Sequence, residues 1–407
     1  MISAVRREAP ATIDGLRTIA ADCDAAREAI VIEGGKTLRG MGRSASRCDL
    51  ILCTTALDQL VEHEQRDLTC SAQAGMTLAK LGTRLAKAGQ FVPFDAPQRR
   101  TATIGGTLAA GWAGPRRHIY GPVRDYVIGS QVVLADGTLA HAGGMVVKNV
   151  TGYDMSKLYV GSFGTLGIFV QANFKTLPLP AHTRAFVAAL PERTRSRAIA
   201  EISALPVAPA AAFCIEGYRK NIDGEDGVDG RLFVLLEGSS GLIDRATRDL
   251  RSSLGKAGVP ETTIIDSGAR ESFERVLDST IASVAERSIT YRSGGLPETV
   301  EHRSLSMRDA AHRLELFTDV LVDIMNGDVF LRVSERDTRA FASRIEMFDD
   351  AVHAAEPGAI VIAGDSPMRG SLDVWGADPQ ALSYMRAMKA RFDPNSTLNP
   401  GRYVGRI

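Results

Sequence analysis

Three glycine-rich runs carry the residues best suited to chemistry in this sequence. The first, Gly34-Gly35-Lys36-Thr37, follows the apolar stretch Ala29–Ile32. A turn built on paired glycines lets consecutive backbone N–H groups converge on an anion, and Lys36 adds positive charge beside them. The second run is Thr103-Ile104-Gly105-Gly106, continuing to Gly111. The third, Gly161-Ser162-Phe163-Gly164-Thr165-Leu166-Gly167-Ile168, has a glycine at every third position. Missing Cβ atoms let the backbone approach a flat, bulky ligand, and the hydroxyls of Ser162 and Thr165 can bond a phosphate or a ring carbonyl. Between these runs lie Tyr120-Gly121, Asp125, and Lys148-Asn149-Val150-Thr151-Gly152-Tyr153-Asp154. Gly35-Lys36-Thr37 imitates the end of a triphosphate-binding loop, but that motif needs a glycine where this chain has Ile30.

Regular elements must hold these runs in place. Ala29–Ile32 reads as a buried strand, Leu68–Ala72 as another, and Thr77–Ala88 as a helix with Leu78, Leu81 and Leu85 on its core face. Val127–Leu134, the Asp136-Gly137 turn and Thr138–Ala140 read as a hairpin. A final strand over Ile168–Leu177 stops at Pro178 and Pro180. Beyond it the pattern becomes strand Ala185–Leu190, helix Thr194–Ala204, strand Arg231–Glu237 and helix Leu242–Ala257. Strand Asp328–Val333, helix Thr338–Ala355, strand Ala359–Ala363 and helix Pro379–Phe392 follow, with Asp393-Pro394 ending the last. Pro206–Ala212 reads as a connector and Asn221–Gly230 as an acidic surface loop. The class is α+β, with domains expected at 1–180 and 181–390 and a tail at 391–407.

In this order the runs resemble the FAD-binding domain of the PCMH-type, or vanillyl-alcohol-oxidase, flavoprotein superfamily. The ending Phe392-Asp393-Pro394, then Leu398-Asn399-Pro400-Gly401-Arg402, is similar to that superfamily's tail. The resemblance implies a two-lobed FAD-binding domain, an α+β cap, and a tail that returns to the flavin domain and brings Asn399 to the pocket. It implies that Gly34 to Thr37 hold the pyrophosphate. Thr103 to Gly106 with Gly111, and Gly161 to Ile168 (Ser162, Gly164, Thr165 and Gly167 included), would line the ring and ribityl chain. Tyr120, Gly121, Lys148, Thr151 and Gly152 are expected at the cofactor too. Relatives that attach FAD covalently use a histidine where Lys36 stands, or a cysteine in the middle run, where this chain has none between Cys70 and Cys214. Dissociable FAD is therefore expected.

The tail through Arg402, Tyr403, Val404 and Ile407, with the chain ending directly after it, is most similar to the FAD-binding E subunits of bacterial glycolate oxidases. That likeness implies two-electron oxidation of a 2-hydroxy acid, glycolate to glyoxylate, beside a catalytic flavin subunit and an iron–sulfur subunit. Catalytic members carry a metal motif, H-x-G-D-G-N-x-H. Here Gly364-Asp365 stands without a histidine on either side, so no metal site is expected and no catalytic residue is assigned. The alternative is a stand-alone FAD-dependent 2-hydroxy-acid dehydrogenase whose cap binds the carboxylate through Tyr291, Arg292, Arg332, Arg369 and Trp375. A scaffold that has lost its cofactor is a third reading.

Composition removes other classes. With 48 basic and 48 acidic residues, nothing favours a polyanionic partner, and 6% aromatics make a poor base-stacking surface. The five cysteines form no C-x-x-C pair and suit a reducing compartment. No apolar run reaches the ~18 residues of a membrane span, and the start does not read as a leader. The expectation is a cytoplasmic chain that meets the inner membrane only through partners.

Overall fold

The computed structural model describes residues 5–145, 153–217, 230–259, 261–281, 288–335, 338–364 and 368–407. The chain forms two compact units. The first comprises Met1–Gly114, Gly121–Leu179 and Asp378–Ile407; the second comprises Pro115–Tyr120 and Pro180–Ala377. The chain thus leaves the first unit briefly at Pro115, and the closing segment joins it from Asp378, ahead of the tail read from the sequence.

Two larger sheets, beside a two-stranded pairing of Gln90–Phe91 with Leu177–Pro178, build the first unit. A parallel sheet runs in the order Arg6–Glu8, Leu50–Cys53, Ile30–Glu33. An antiparallel sheet runs Leu60–Glu64, Thr69–Gln73, Ile168–Lys175, Val127–Val133, Leu139–Gly143. Helix Ile13–Ala26 starts at Thr12, whose side chain accepts the Gly15 N–H, and buries Leu16, Ala20 and Cys23. Those residues join Ile30, Leu50, Leu52, Ile168, Val170 and Leu398 in one core. Leu398 comes from the tail, where it bridges Ile30 in parallel as a further edge of the small sheet.

The second unit is an eight-stranded antiparallel sheet with helices packed on it. Its order is Thr263–Ile265, His182–Ala189, Arg231–Gly238, Ala211–Glu216, Phe317–Asp323, Asp328–Ser334, Ser288–Gly294, Ile360–Gly364. Helices Glu192–Ser203, Ser240–Ala257, Val300–Arg313 and Thr338–Ala355 contribute to its core with Phe186, Val234, Val322 and Leu331. The Pro206–Ala212 connector is corrected at its end: Ala211 and Ala212 open a central strand, buried throughout except Glu216. Most of the acidic loop at Asn221–Gly230 lies outside the described residues.

Candidate functional site

The glycine runs meet in one cleft of the first unit, enclosing about 820 Å³ of non-atom space with its open mouth. Gly34, Gly35, Lys36 and Thr37 line one wall, where strand Ile30–Glu33 ends. Thr103, Gly105 and Gly106 line a second, Gly164, Gly167 and Ile168 a third, and Asn399 closes the cleft from the tail.

Each wall has a local cause. Among the described residues the N–H groups of Gly34 to Leu38 find no backbone acceptor, leaving a run of donors open to an anion. Gly34 and Gly35 are small because of the neighbouring chain. A Cβ on Gly35 would lie 2.6 Å from the Thr101 carbonyl carbon and closer still to its oxygen, and one on Gly34 would collide with Thr103 Oγ1. The second run is the start of a helix, Ile104–Ala110, whose cap Thr103 accepts the Gly106 N–H at 3.2 Å. Ala109 and Ala110, one turn on, keep the lining small.

Lys36 (φ 63°), Phe163 (φ 55°) and Asn399 (φ 43°) all line the cleft with left-handed backbone that side chains rarely adopt. Such strain persists only where surrounding structure enforces it, and it gathers at ligand sites. The Phe163 ring stacks on Tyr403, centroids 5.4 Å apart.

Charge gathers on the first wall. Glu33, 5% exposed, takes Arg7 Nη1 at 2.8 Å, Lys36 Nζ at 3.4 Å and Arg39 Nη1 at 3.7 Å. Burial pushes its pKa up, but the hydrogen bond from Arg7 and the charges of Arg7, Lys36 and Arg39 outweigh that and hold it below the usual carboxylate value. Three cations around one carboxylate leave net positive charge beside the open N–H groups, as a pyrophosphate requires. The residues present therefore fit FAD: a donor nest, surplus positive charge, and walls cleared of Cβ atoms.

Other expected residues stand elsewhere. Ile104 is fully buried and its N–H goes to Met76 O, so it is a core residue that holds the helix start rather than lining the cleft. Gly111 (φ 60°) caps that helix and meets Gly161, whose Cα would lie 2.9 Å from a Cβ added at Gly111. Both glycines serve backbone-to-backbone packing. Thr165 turns its hydroxyl back to Ser162 O at 2.7 Å, and Ser162 is buried behind the turn, so neither lines the cleft. Tyr120 belongs to the second unit, where its hydroxyl donates to Glu237 at 2.9 Å. Gly121 (φ 84°) makes a turn beside Asp125. Lys148, Thr151 and Gly152 lie outside the described residues.

Glu33, Arg39, Thr54 and Arg402 also line the cleft without having been assigned to it from sequence. The small face Gly105, Gly106, Ala109, Ala110 lies on one side of a helix that the sequence reading did not assign. The charge at Glu33 was not readable, because its partner Arg7 comes from a separate strand.

Residues 7–143 match the FAD binding domain family. Glycolate oxidase subunit GlcD of Bacillus subtilis is 29% identical over 97% of this chain and 87% of its own length. Glycolate oxidase subunit GlcE of Escherichia coli is 33% identical, over 56% of this chain and 61% of its own. The likeness to the D subunit thus runs through the middle region as well. The fold of p-cresol methylhydroxylase superposes with a TM-score of 0.73 at 15% identity, over 97% of this chain and 88% of that one. FAD is the cofactor, residues 7–143 are an FAD-binding domain of the PCMH type, and the chain is an FAD-dependent oxidoreductase similar to glycolate oxidase subunits and D-2-hydroxy-acid dehydrogenases.

Proposed function

We propose that this chain is the FAD-binding, electron-relaying subunit of a glycolate oxidase-type complex, working beside a catalytic flavin subunit and an iron–sulfur subunit. Glycolate loses two electrons and two protons to become glyoxylate. FAD, when bound, supplies the two-electron acceptor. The N–H groups of Gly34 to Leu38, with Lys36 and Arg39, hold the pyrophosphate, and Asn399 fixes the turn at Phe163 and Gly164 against it.

One observation carries the relay reading: two of the three arginines proposed for a substrate carboxylate, Arg292 and Arg332, already serve carboxylates inside the second unit. Arg332, 2% exposed, donates to Ser279 O at 2.7 Å and faces Asp319 at 3.4 Å. Arg292 donates to Asp328 at 2.9 Å. Tyr291 is fully buried, its hydroxyl donating to Asp349 at 2.8 Å. The sequence adds the absence of histidine around Gly364, and Asp365 lies outside the described residues. Among the described residues no helix is long and apolar enough to cross a membrane. All five cysteines are free thiols, in keeping with a reducing compartment.

Purified holoprotein mixed anaerobically with glycolate or D-lactate should bleach slowly or not at all, and bleach fast once the partner flavin subunit is added. Fast bleaching by the chain alone, insensitive to chelator, would instead establish a stand-alone 2-hydroxy-acid dehydrogenase, a reading favoured by the near full-length match to the D subunit.

The cofactor should also be dissociable. Neither histidine nor cysteine lines the cleft among the described residues, so no side chain there suits either common covalent link. Acid precipitation is expected to release all yellow colour into the supernatant; colour kept by the pellet would reveal a covalent bond.

A further inference from the structure

The last helix of the chain reaches back to the glycine turn of the flavin cleft. Lys389, 7% exposed in helix Leu382–Phe392, donates from Nζ to Thr165 O at 2.8 Å, to Leu398 O at 2.9 Å and to the Asp393 carboxylate. Those acceptors match the three donors of an ammonium group. Asp393 accepts the N–H groups of Thr397 and Leu398, each at 2.8 Å. Next along the chain, Asn399 donates from Nδ2 to Phe163 O at 2.6 Å, while its Oδ1 accepts the Ile32 N–H at 3.0 Å.

Two carbonyls of the turn, those of Phe163 and Thr165, are therefore held from the tail. In a planar trans peptide the C=O and N–H point opposite ways. Holding these carbonyls directs the N–H groups of Gly164 and Leu166 away from the tail, and Gly164 lines the cleft. Neither N–H finds a backbone acceptor among the described residues.

We infer that Lys389 is a positioning residue for the flavin: through Thr165 O, and through the tail that carries Asn399, it sets the glycine turn whose Gly164 N–H meets an acceptor atom of the cofactor. Docking of the tail and loading of FAD are then one coupled event. The inference rests on the FAD reading of the cleft.

Replacing Lys389 alone would leave the Asp393 charge buried without its partner, so loss of folding would say nothing about the flavin. The double variant Lys389→Met/Asp393→Asn removes both charges and keeps an acceptor for one of the two tail N–H groups. Its apo form should stay folded and melt a few degrees below wild type, as lost buried hydrogen bonds require. Its dissociation constant for FAD should rise about tenfold or more, the scale of a lost charge-assisted hydrogen bond. The visible spectrum of the bound flavin should shift as well. A folded double variant with wild-type affinity and spectrum would overturn the inference.

Should that variant fail to fold, hydrogen exchange of the wild-type protein decides. Residues 162–167 and 389–399 should gain protection together when FAD is added; protection of the turn alone overturns the coupling. Wild-type apoprotein that takes up no FAD would overturn the cofactor reading instead.

Discussion

Gly35→Val protein is expected to purify almost free of flavin. The added Cβ would lie 2.6 Å from the Thr101 carbonyl carbon, and the obstacle is backbone, which no rotamer change can clear. Either the Gly34–Thr37 turn or the Thr101–Thr103 segment must move. Both line or support the same cleft, and the donor nest moves with them. Overpacking of this kind costs ~1–3 kcal/mol or more. At about 1.4 kcal/mol per tenfold, FAD affinity should fall by roughly a hundredfold. Gly164→Val should act in the same direction, because φ there is 68° and a Cβ would sit 2.8 Å from Asn399 Nδ2. Gly358→Ala is the control: it is exposed, with nothing within 4 Å of an added Cβ. The readout is the ratio of flavin to protein absorbance after purification, followed by FAD titration of each apoprotein. Full flavin occupancy in Gly35→Val would place the cofactor outside this cleft.

The cleft was legible because glycine is informative wherever chain segments must touch. Gly34, Gly35, Gly105, Gly164 and Gly167 all line the cleft, and an added Cβ at each would meet a neighbouring segment. The physical reason differs from the one read in the sequence. At Gly34 and Gly35 the absent Cβ admits another stretch of the same chain, and the ligand's share is the row of N–H groups this packing leaves open. Ile104 misled for a related cause. Paired glycines lower helix propensity, which hides helix Ile104–Ala110, while the Thr103 cap and core packing override it. The left-handed backbone at Lys36 and Phe163 leaves no trace in composition, because neither residue type favours it.

In the second unit the strands with strong apolar runs stood out, while Ala211–Glu216 was masked by the proline and alanine before it. Lys389 was invisible for a different reason. Its role depends on Thr165, more than two hundred residues earlier, and Lys389 is the buried residue of a helix whose other side chains are more exposed, a pattern no sequence periodicity marks.

The second large effect concerns Asp323 and the dependence of stability on pH. Asp323 ends strand Phe317–Asp323 and pairs in register with Asp328. It is 1% exposed, and its carboxylate accepts from Asn326 N at 3.3 Å and Asn326 Nδ2 at 2.8 Å. The cations nearby are directed at its neighbour: Arg117 and Arg292 each reach Asp328 Oδ2 at 2.9 Å. Burial first, then the charge of Asp328, push the Asp323 pKa from 3.8 up to about 7, against Arg117 and the Asn326 hydrogen bonds. In the unfolded chain this group gives up its proton near pH 3.8, whereas in the fold it keeps the proton until about pH 7. Across that window the unfolded state binds fewer protons, so stability falls as pH rises and the contribution is lost above the folded value. At about 1.36 kcal/mol per pKa unit the change is on the order of 4 kcal/mol. Asp323→Asn cannot ionise and keeps a carbonyl acceptor for Asn326. Wild type and variant should therefore melt alike at the acid end, with the variant gaining on wild type towards pH 8, by about 10 °C for a domain of this size. Melting curves of both proteins across that range provide the check. A constant difference between them at every pH would mean that Asp323 is already ionised in the fold, held by a donor other than Asn326.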